Sequence, residues 1–143
     1  RSGADILVGA DGDDSIAGEG GDDIVAGGDG KDTLSGGDGE DILIAGSLNP
    51  DNGLTELNHL AALQDEWLSS HTYGVRHKNI RNQNPKEDRL NSTNLIGLDR
   101  AGQNVFDDEV NDLMQGNADR DLFFATLGED LLDRDADEFA EPL

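Results

Sequence analysis

The sequence predicts a mainly β, coiled repeat structure that carries a small α-helical insertion. Three observations predict it. Residues 1–44 divide into nine-residue units with an aliphatic residue in a fixed column. Residues 54–69 place apolar side chains at helical spacing, and the nine-residue spacing returns after residue 104. A repeat period is the strongest of these signals, because it fixes an architecture rather than a single element.

Written in nines, the N-terminal part is a truncated RSGADILV followed by GADGDDSIA, GEGGDDIVA, GGDGKDTLS and GGDGEDILI. Gly3, Gly12, Gly21, Gly30 and Gly39 form one column, and Asp5, Asp14, Asp23, Asp32 and Asp41 a second. Leu7, Ile16, Val25, Leu34 and Leu43 form the third, and Gly9, Gly18, Gly27 and Gly36 open the complete units. A Gly/Asp-rich linker has no reason to place an aliphatic residue two positions after every such Asp. Each column has a physical task. Glycine supplies the positive-φ backbone of tight turns and lets carbonyls approach an ion closely. A carboxylate is a hard oxygen ligand suited to Ca²⁺, which takes six to eight oxygens at ~2.3–2.6 Å. The aliphatic residue belongs to a three-residue strand and points inward onto its equivalents in neighbouring coils. Asp11, Asp29 and Asp38, third in their units, are candidates for further oxygens.

The units resemble the RTX (hemolysin-type) nonapeptide G-G-x-G-x-D-x-U-x, a calcium-binding pattern. The resemblance implies a right-handed parallel β-roll, in which two units make one coil and ions lie between unit n and unit n+2. It implies about three Ca²⁺ ions here, two on the side of units 1, 3 and 5 and one on the side of units 2 and 4. The metal-binding residues carried over are Asp5, Asp14, Asp23, Asp32 and Asp41, with Asp11, Asp29, Asp38, Gly9, Gly18, Gly27 and Gly36. Ser2, Ala10 and Glu19 depart from the consensus, and Gly20 removes one side-chain oxygen. An EF-hand is excluded: loops starting at Asp11 or Asp29 carry Ile16 or Leu34 where that loop needs Gly.

Composition supports a cation partner. The 143 residues hold 32 Asp+Glu against 10 Lys+Arg, a formal net charge of −22, and 4% are aromatic. Such a charge opposes compaction by self-repulsion and makes nucleic acid and anionic lipid poor partners. Residues 1–44 alone hold twelve acidic and two basic side chains. Their thin aliphatic core and dense charge predict a segment unfolded without Ca²⁺ and folded with it. Cysteine is absent, so a metal is the available staple. No apolar run reaches the ~20 residues of a membrane span. The opening Arg1-Ser2-Gly3 reads as the middle of a repeat, which leads us to expect an upstream portion.

After Ile44 the repeat breaks. Pro50-Asp51-Asn52-Gly53 reads as a turn, and Leu54, Leu57, Leu60, Ala61, Leu63, Trp67 and Leu68 follow at helical spacing. A weaker helix is expected over 71–81, with Tyr73, Val75 and Ile80, and a loop over 82–103. Trp67 is expected to anchor packing. Arg76, Lys78, Arg81, Lys86, Arg89 and Arg100 are expected on a solvated face, and His59, His71 and His77 on the surface. Further on, Asp112, Asp121 and Asp130 are nine apart, and Met114, Phe123 and Leu132 each follow by two. Val110 and Asp119 stand where turn glycines belong, so this segment reads as a degenerate continuation of the roll with bulkier strands. The expected organisation is a repeat array over 1–46, an insertion over 47–103, degenerate strands over 104–133 and an acidic tail over 134–143. The combination resembles the C-terminal region of large secreted bacterial RTX proteins, and the tail resembles a type I secretion signal. The resemblance implies an extracellular or cell-surface, calcium-binding structural and secretion module, and type I secretion machinery as a partner. No GxSxG, P-loop or zinc-protease motif points to an enzyme. Two alternatives stay open: an adhesin module reading a surface ligand or carbohydrate through the insertion, and the end of a secreted hydrolase.

Overall fold

A computed structural model describes residues 2–48, 56–81, 105–106, 109–126, 130–134 and 136–142. The repeat folds as its columns require, one strand per unit. β1 (Ile6–Asp11), β2 (Ser15–Gly20), β3 (Ile24–Asp29), β4 (Thr33–Asp38) and β5 (Ile42–Ile44) come from the N-terminal array. β6 (Ser47–Leu48) and β7 (Val105–Phe106) pair as a two-stranded ribbon. β8 (Leu113–Asn117), β9 (Leu122–Ala125), β10 (Leu131–Leu132) and β11 (Phe139–Pro142) follow. The first four strands are six residues long, twice the expected length, because pairing continues past the opening glycine: Ala10 pairs with Gly28 and Asp11 with Asp29.

Alternate strands join alternate sheets. One sheet runs β1-β3-β5-β9-β11 and the other β10-β8-β4-β2, with every neighbouring pair parallel. This is the parallel β-roll that the sequence predicts, with the C-terminal strands continuing it. Pairing partners in the array are offset by 18, as Ile6 with Ile24 and Ile16 with Leu34. Across the insertion they are offset by 80, as Leu34 with Met114 and Leu43 with Phe123. The difference of 80 and 18 means that 62 extra residues leave the roll and return it to the same phase.

The aliphatic column makes the inner core. Val25, Leu34, Leu43, Met114 and Phe123 are fully buried together, with Leu7, Ile16, Leu132 and Ala140 packed against them. Each such side chain contributes ~1.5–3 kcal/mol of burial. Ala140 arrives by a final coil one residue short: β11 pairs with β9 at an offset of 17, Phe139 opposite Leu122. A paired strand thus lies inside the segment expected as a tail. Strand alternation puts Ile24, Ile42, Ile44, Leu122 and Phe124 on the other face of the same sheet, and they too are fully buried. The second sheet turns Ser15 and Thr33 outward, exposed.

The chain divides into two compact units: residues 1–47 with 106–143, and residues 48–105. Within the second lie α1 (Glu56–Trp67) and α2 (Tyr73–Ile80), close to the two helices expected. Leu60, Leu63, Trp67, Tyr73 and Ile80 are buried. Trp67 meets Tyr73 edge-on at 5.7 Å, and the Arg76 guanidinium lies 4.6 Å from the centre of the Trp67 ring. Two expectations need correction. Arg76 is buried, not solvated, because its guanidinium stacks on Trp67 and donates to the Trp67 carbonyl at 2.5 Å. His77 is buried too, while His71 is half-buried and bonds the Glu66 carboxylate through Nδ1 at 2.9 Å. Glu66 is wholly buried and also accepts from Asn79 at 2.8 Å, which satisfies a carboxylate that would otherwise be costly. The loop expected over 82–103 and the side chain of His59 lie outside the described residues.

Candidate metal centre

The Asp column forms a ladder along each side of the roll. Oδ1 of each Asp accepts the backbone N–H of the equivalent Asp one coil earlier. Asp23 accepts from Asp5 at 2.7 Å, Asp32 from Asp14 at 2.9 Å and Asp41 from Asp23 at 2.7 Å. The rungs cross the insertion without a break: Asp112 accepts from Asp32 and Asp121 from Asp41, both at 2.7 Å. Asp130 extends one side by accepting from Asp112 at 2.9 Å. Asp23, Asp32, Asp41 and Asp121 are fully buried, a position carboxylates take only when paired or when holding a cation.

The second oxygen of these carboxylates is the informative one. Oδ2 of Asp14, Asp23 and Asp41 is buried and makes no hydrogen bond. Each points at the glycine that opens its own unit. A Cβ on Gly9 would stand 2.6 Å from Asp14 Oδ2 and 2.5 Å from the Gly27 carbonyl oxygen of the next coil. A Cβ on Gly18 would collide with Asp23 Oδ2 and stand 2.6 Å from the Gly36 oxygen. A Cβ on Gly27 would collide with Asp32 Oδ2 and stand 3.0 Å from the Ala45 carbonyl oxygen, and one on Gly36 would collide with Asp41 Oδ2. Oxygens from two successive coils therefore converge above Gly9, Gly18 and Gly27, and only a residue without a side chain leaves them room. Among the described residues no three acidic or imidazole side chains converge on one point. A hard cation here would draw much of its shell from backbone carbonyls, as Ca²⁺ readily does. The orphaned oxygens, the glycine cradle and the all-oxygen donor set fit that ion.

Electrostatics point the same way. Burial raises the Asp41 carboxyl to about 7, helped by Asp23, Asp22 and Asp119 and opposed by its bond from the Asp23 N–H. Burial raises Asp121 to about 8, with Asp41, Glu138 and Asp133 adding to it and the bond from the Asp41 N–H opposing. Asp23 is raised as well, first by burial and then by Asp5 and Asp22. A divalent cation relieves all three at once.

The remaining expected ligands sit differently. Asp11, Asp29 and Asp38 are exposed at strand ends. Their backbone does the visible work: the carbonyls of Asp29 and Asp38 accept from the Gly12 and Gly21 N–H groups at 2.7 and 2.8 Å. Asp5 and Asp14, nearest the chain start, are half-buried. Sequence reasoning passed over three groups. Asp13 and Asp22, fifth in their units, accept from the Lys31 and Glu40 N–H groups at 3.0 Å, making an outer ladder that an 18-residue comparison would reveal. Glu138 precedes Phe139 as Asp121 precedes Leu122 and is buried, but the 17-residue offset hides it from a nine-residue count.

A family model for the RTX calcium-binding nonapeptide repeat, in four copies, matches residues 1–34, 18–49 and 107–137, together more than half of the chain. The chain belongs to this family. The match resumes after the insertion, where the strands rejoin the roll in phase. RTX repeats are a calcium-binding structural module, and the buried Asp ladder and opening glycines occupy the sixth and first positions of that nonapeptide. No curated protein and no solved structure matches the chain. No helix among the described residues is long and apolar enough to cross a membrane.

Proposed function

We propose that this chain is a calcium-triggered folding module, part of a larger extracellular RTX protein, disordered before export and ordered outside the cell. The observation that carries this is the set of buried Asp Oδ2 atoms without a hydrogen bond, each aimed at an opening glycine. Without a cation, the roll must bury charged or protonated carboxylates. With Ca²⁺, the same oxygens become ligands, and ion binding and folding are one event. Extracellular modules bind Ca²⁺ at ~10⁻⁴–10⁻³ M, a range reached outside cells and not in the cytosol.

The ligands we assign are Oδ2 of Asp14, Asp23, Asp32 and Asp41 with the carbonyls of Gly27, Gly36 and Ala45, for about three ions within the array. Asp11, Asp29 and Asp38 contribute through their backbone. In this reading residues 1–46 are the array and the insertion is a separate body, with no catalytic role for either. Equilibrium dialysis against ⁴⁵Ca²⁺ tests it. About three or more ions should bind per chain at millimolar calcium, and excess Mg²⁺ should compete poorly, because it demands a tight octahedron and dehydrates reluctantly. Equal competition by Mg²⁺ would contradict the assignment. An adhesin built on an aromatic patch at Trp67 and Tyr73 gains no support, since both rings are buried.

A further inference from the structure

We propose that the Asp38–Gly39 pair is a site of spontaneous aspartate isomerisation in the folded roll, and that the Asp11–Gly12 pair, identical in residue types, is protected by its coil. This modification concerns the folded chain and is indifferent to how many ions the roll holds.

The chemistry needs an aspartyl carboxyl group, the amide nitrogen of the next residue and water. The nitrogen attacks Asp Cγ: an N–Cγ bond forms, a Cγ–O bond breaks, and the oxygen leaves as water carrying its acid proton and the amide proton. Water then adds back to the cyclic imide. Where it opens the ring at the former main-chain carbonyl, the chain runs on through Cγ and an isoaspartate results, with mass unchanged and nothing oxidised or reduced. Glycine as the next residue favours the attack, because it has no Cβ to shield the nitrogen and the widest choice of backbone angles.

Asp–Gly occurs three times, at Asp11, Asp29 and Asp38, and each of these Asp residues is exposed at a strand end. What separates Asp11 from Asp38 is the glycine nitrogen. The Gly12 N–H donates to the Asp29 carbonyl at 2.7 Å, and Gly21 repeats the rung on the Asp38 carbonyl at 2.8 Å. A nitrogen held in this way must give up its bond before it can turn toward Cγ. Across the insertion the equivalent acceptor for Gly39 is the Ala118 carbonyl, yet among the described residues the Gly39 N–H makes no hydrogen bond. Ala118 instead donates its own N–H to the Gly37 carbonyl at 3.2 Å. The coil that spans the insertion therefore lacks the rung that guards Asp11. The product would also be poorly accommodated. Asp38 supplies the carbonyl that holds Gly21, and a Cβ on Gly39 would lie 2.4 Å from the Gly21 oxygen, so these coils leave no room for an extra main-chain carbon. Isomerisation at Asp38 would mark the chain and loosen this coil just before Asp41.

Ageing the full wild-type chain tests this, with one sample in saturating calcium and a parallel one in concentrated urea. Isoaspartate is then quantified at each site by peptide mass spectrometry with electron-transfer fragmentation. In calcium it should accumulate at Asp38 about fivefold faster than at Asp11, the factor that one net backbone hydrogen bond represents. In urea the two rates should converge, because neither nitrogen is then held. Equal rates in calcium, or a faster rate at Asp11, overturn the proposal. A difference that persists undiminished in urea overturns it as well, since local sequence and not the coil would then be its cause.

Discussion

At the residue scale, one carboxylate is asked to do two things. Oδ1 of Asp41 holds the coil spacing through the Asp23 N–H, and its buried Oδ2, which makes no hydrogen bond, is the calcium ligand in the function proposed above. The pH behaviour follows. Asp41 and Asp121 sit at about 7 and about 8 in the fold, above the ordinary 3.8, so the metal-free fold binds more protons than the unfolded chain. Their contribution is fully present below about pH 3.8 and is lost as pH rises through 7 to 8. Circular dichroism of metal-free protein should therefore show β structure favoured by acid and fading toward pH 8. Asp41→Asn should flatten that profile and weaken calcium binding together. Two residues offer a test of backbone strain. Ala10 and Glu19 have φ of 81° and 76°, where the next coil has Gly28 and Gly37 at 107° and 118°. A left-handed side chain costs ~1–2 kcal/mol, so Glu19→Gly should raise thermal stability in calcium by roughly 1 kcal/mol. Gly18→Ala should do the opposite, since its Cβ would displace the Asp23 carboxylate.

At the element scale, the nine-residue spacing made the inner face of the strands that follow it legible, and left β11, set 17 residues after β9, hidden. The aliphatic column gave Leu7 through Leu43, and the Met114, Phe123 and Leu132 echo gave the strands beyond the insertion, all of which pack together. The outer face needed a longer period. Ile24, Ala26, Ile42 and Ile44 flank the column in one sheet, where Ser15, Ala17, Thr33 and Ser35 flank it in the other. That difference alternates every nine residues, so only an 18-residue comparison exposes it. The C-terminal strands bring bulkier side chains, Met114 and Phe123, into the same inner core. Phe123→Ala, which empties a fully buried site, should cost ~3–5 kcal/mol in chemical unfolding at saturating calcium. The helices were readable from apolar spacing. The burial of Arg76 was not, because it depends on a partner on the other helix, the Trp67 ring, and the burial of His77 was not either.

At the scale of the whole molecule, a β-roll interrupted by 62 residues resumes with its hydrogen-bond ladder intact. Loop closure explains why this is tolerated: each doubling of a connecting segment costs only ~0.6 kcal/mol. The charge of −22 is the larger obstacle, and it is one that divalent ions relieve. The most direct measurement is far-UV circular dichroism of the chain at pH 7.5, in EGTA and then through a calcium titration to several millimolar. The account predicts a spectrum with little β structure in EGTA and a cooperative gain of β signal as calcium rises. A β-sheet spectrum already complete in EGTA and unmoved by calcium would contradict it.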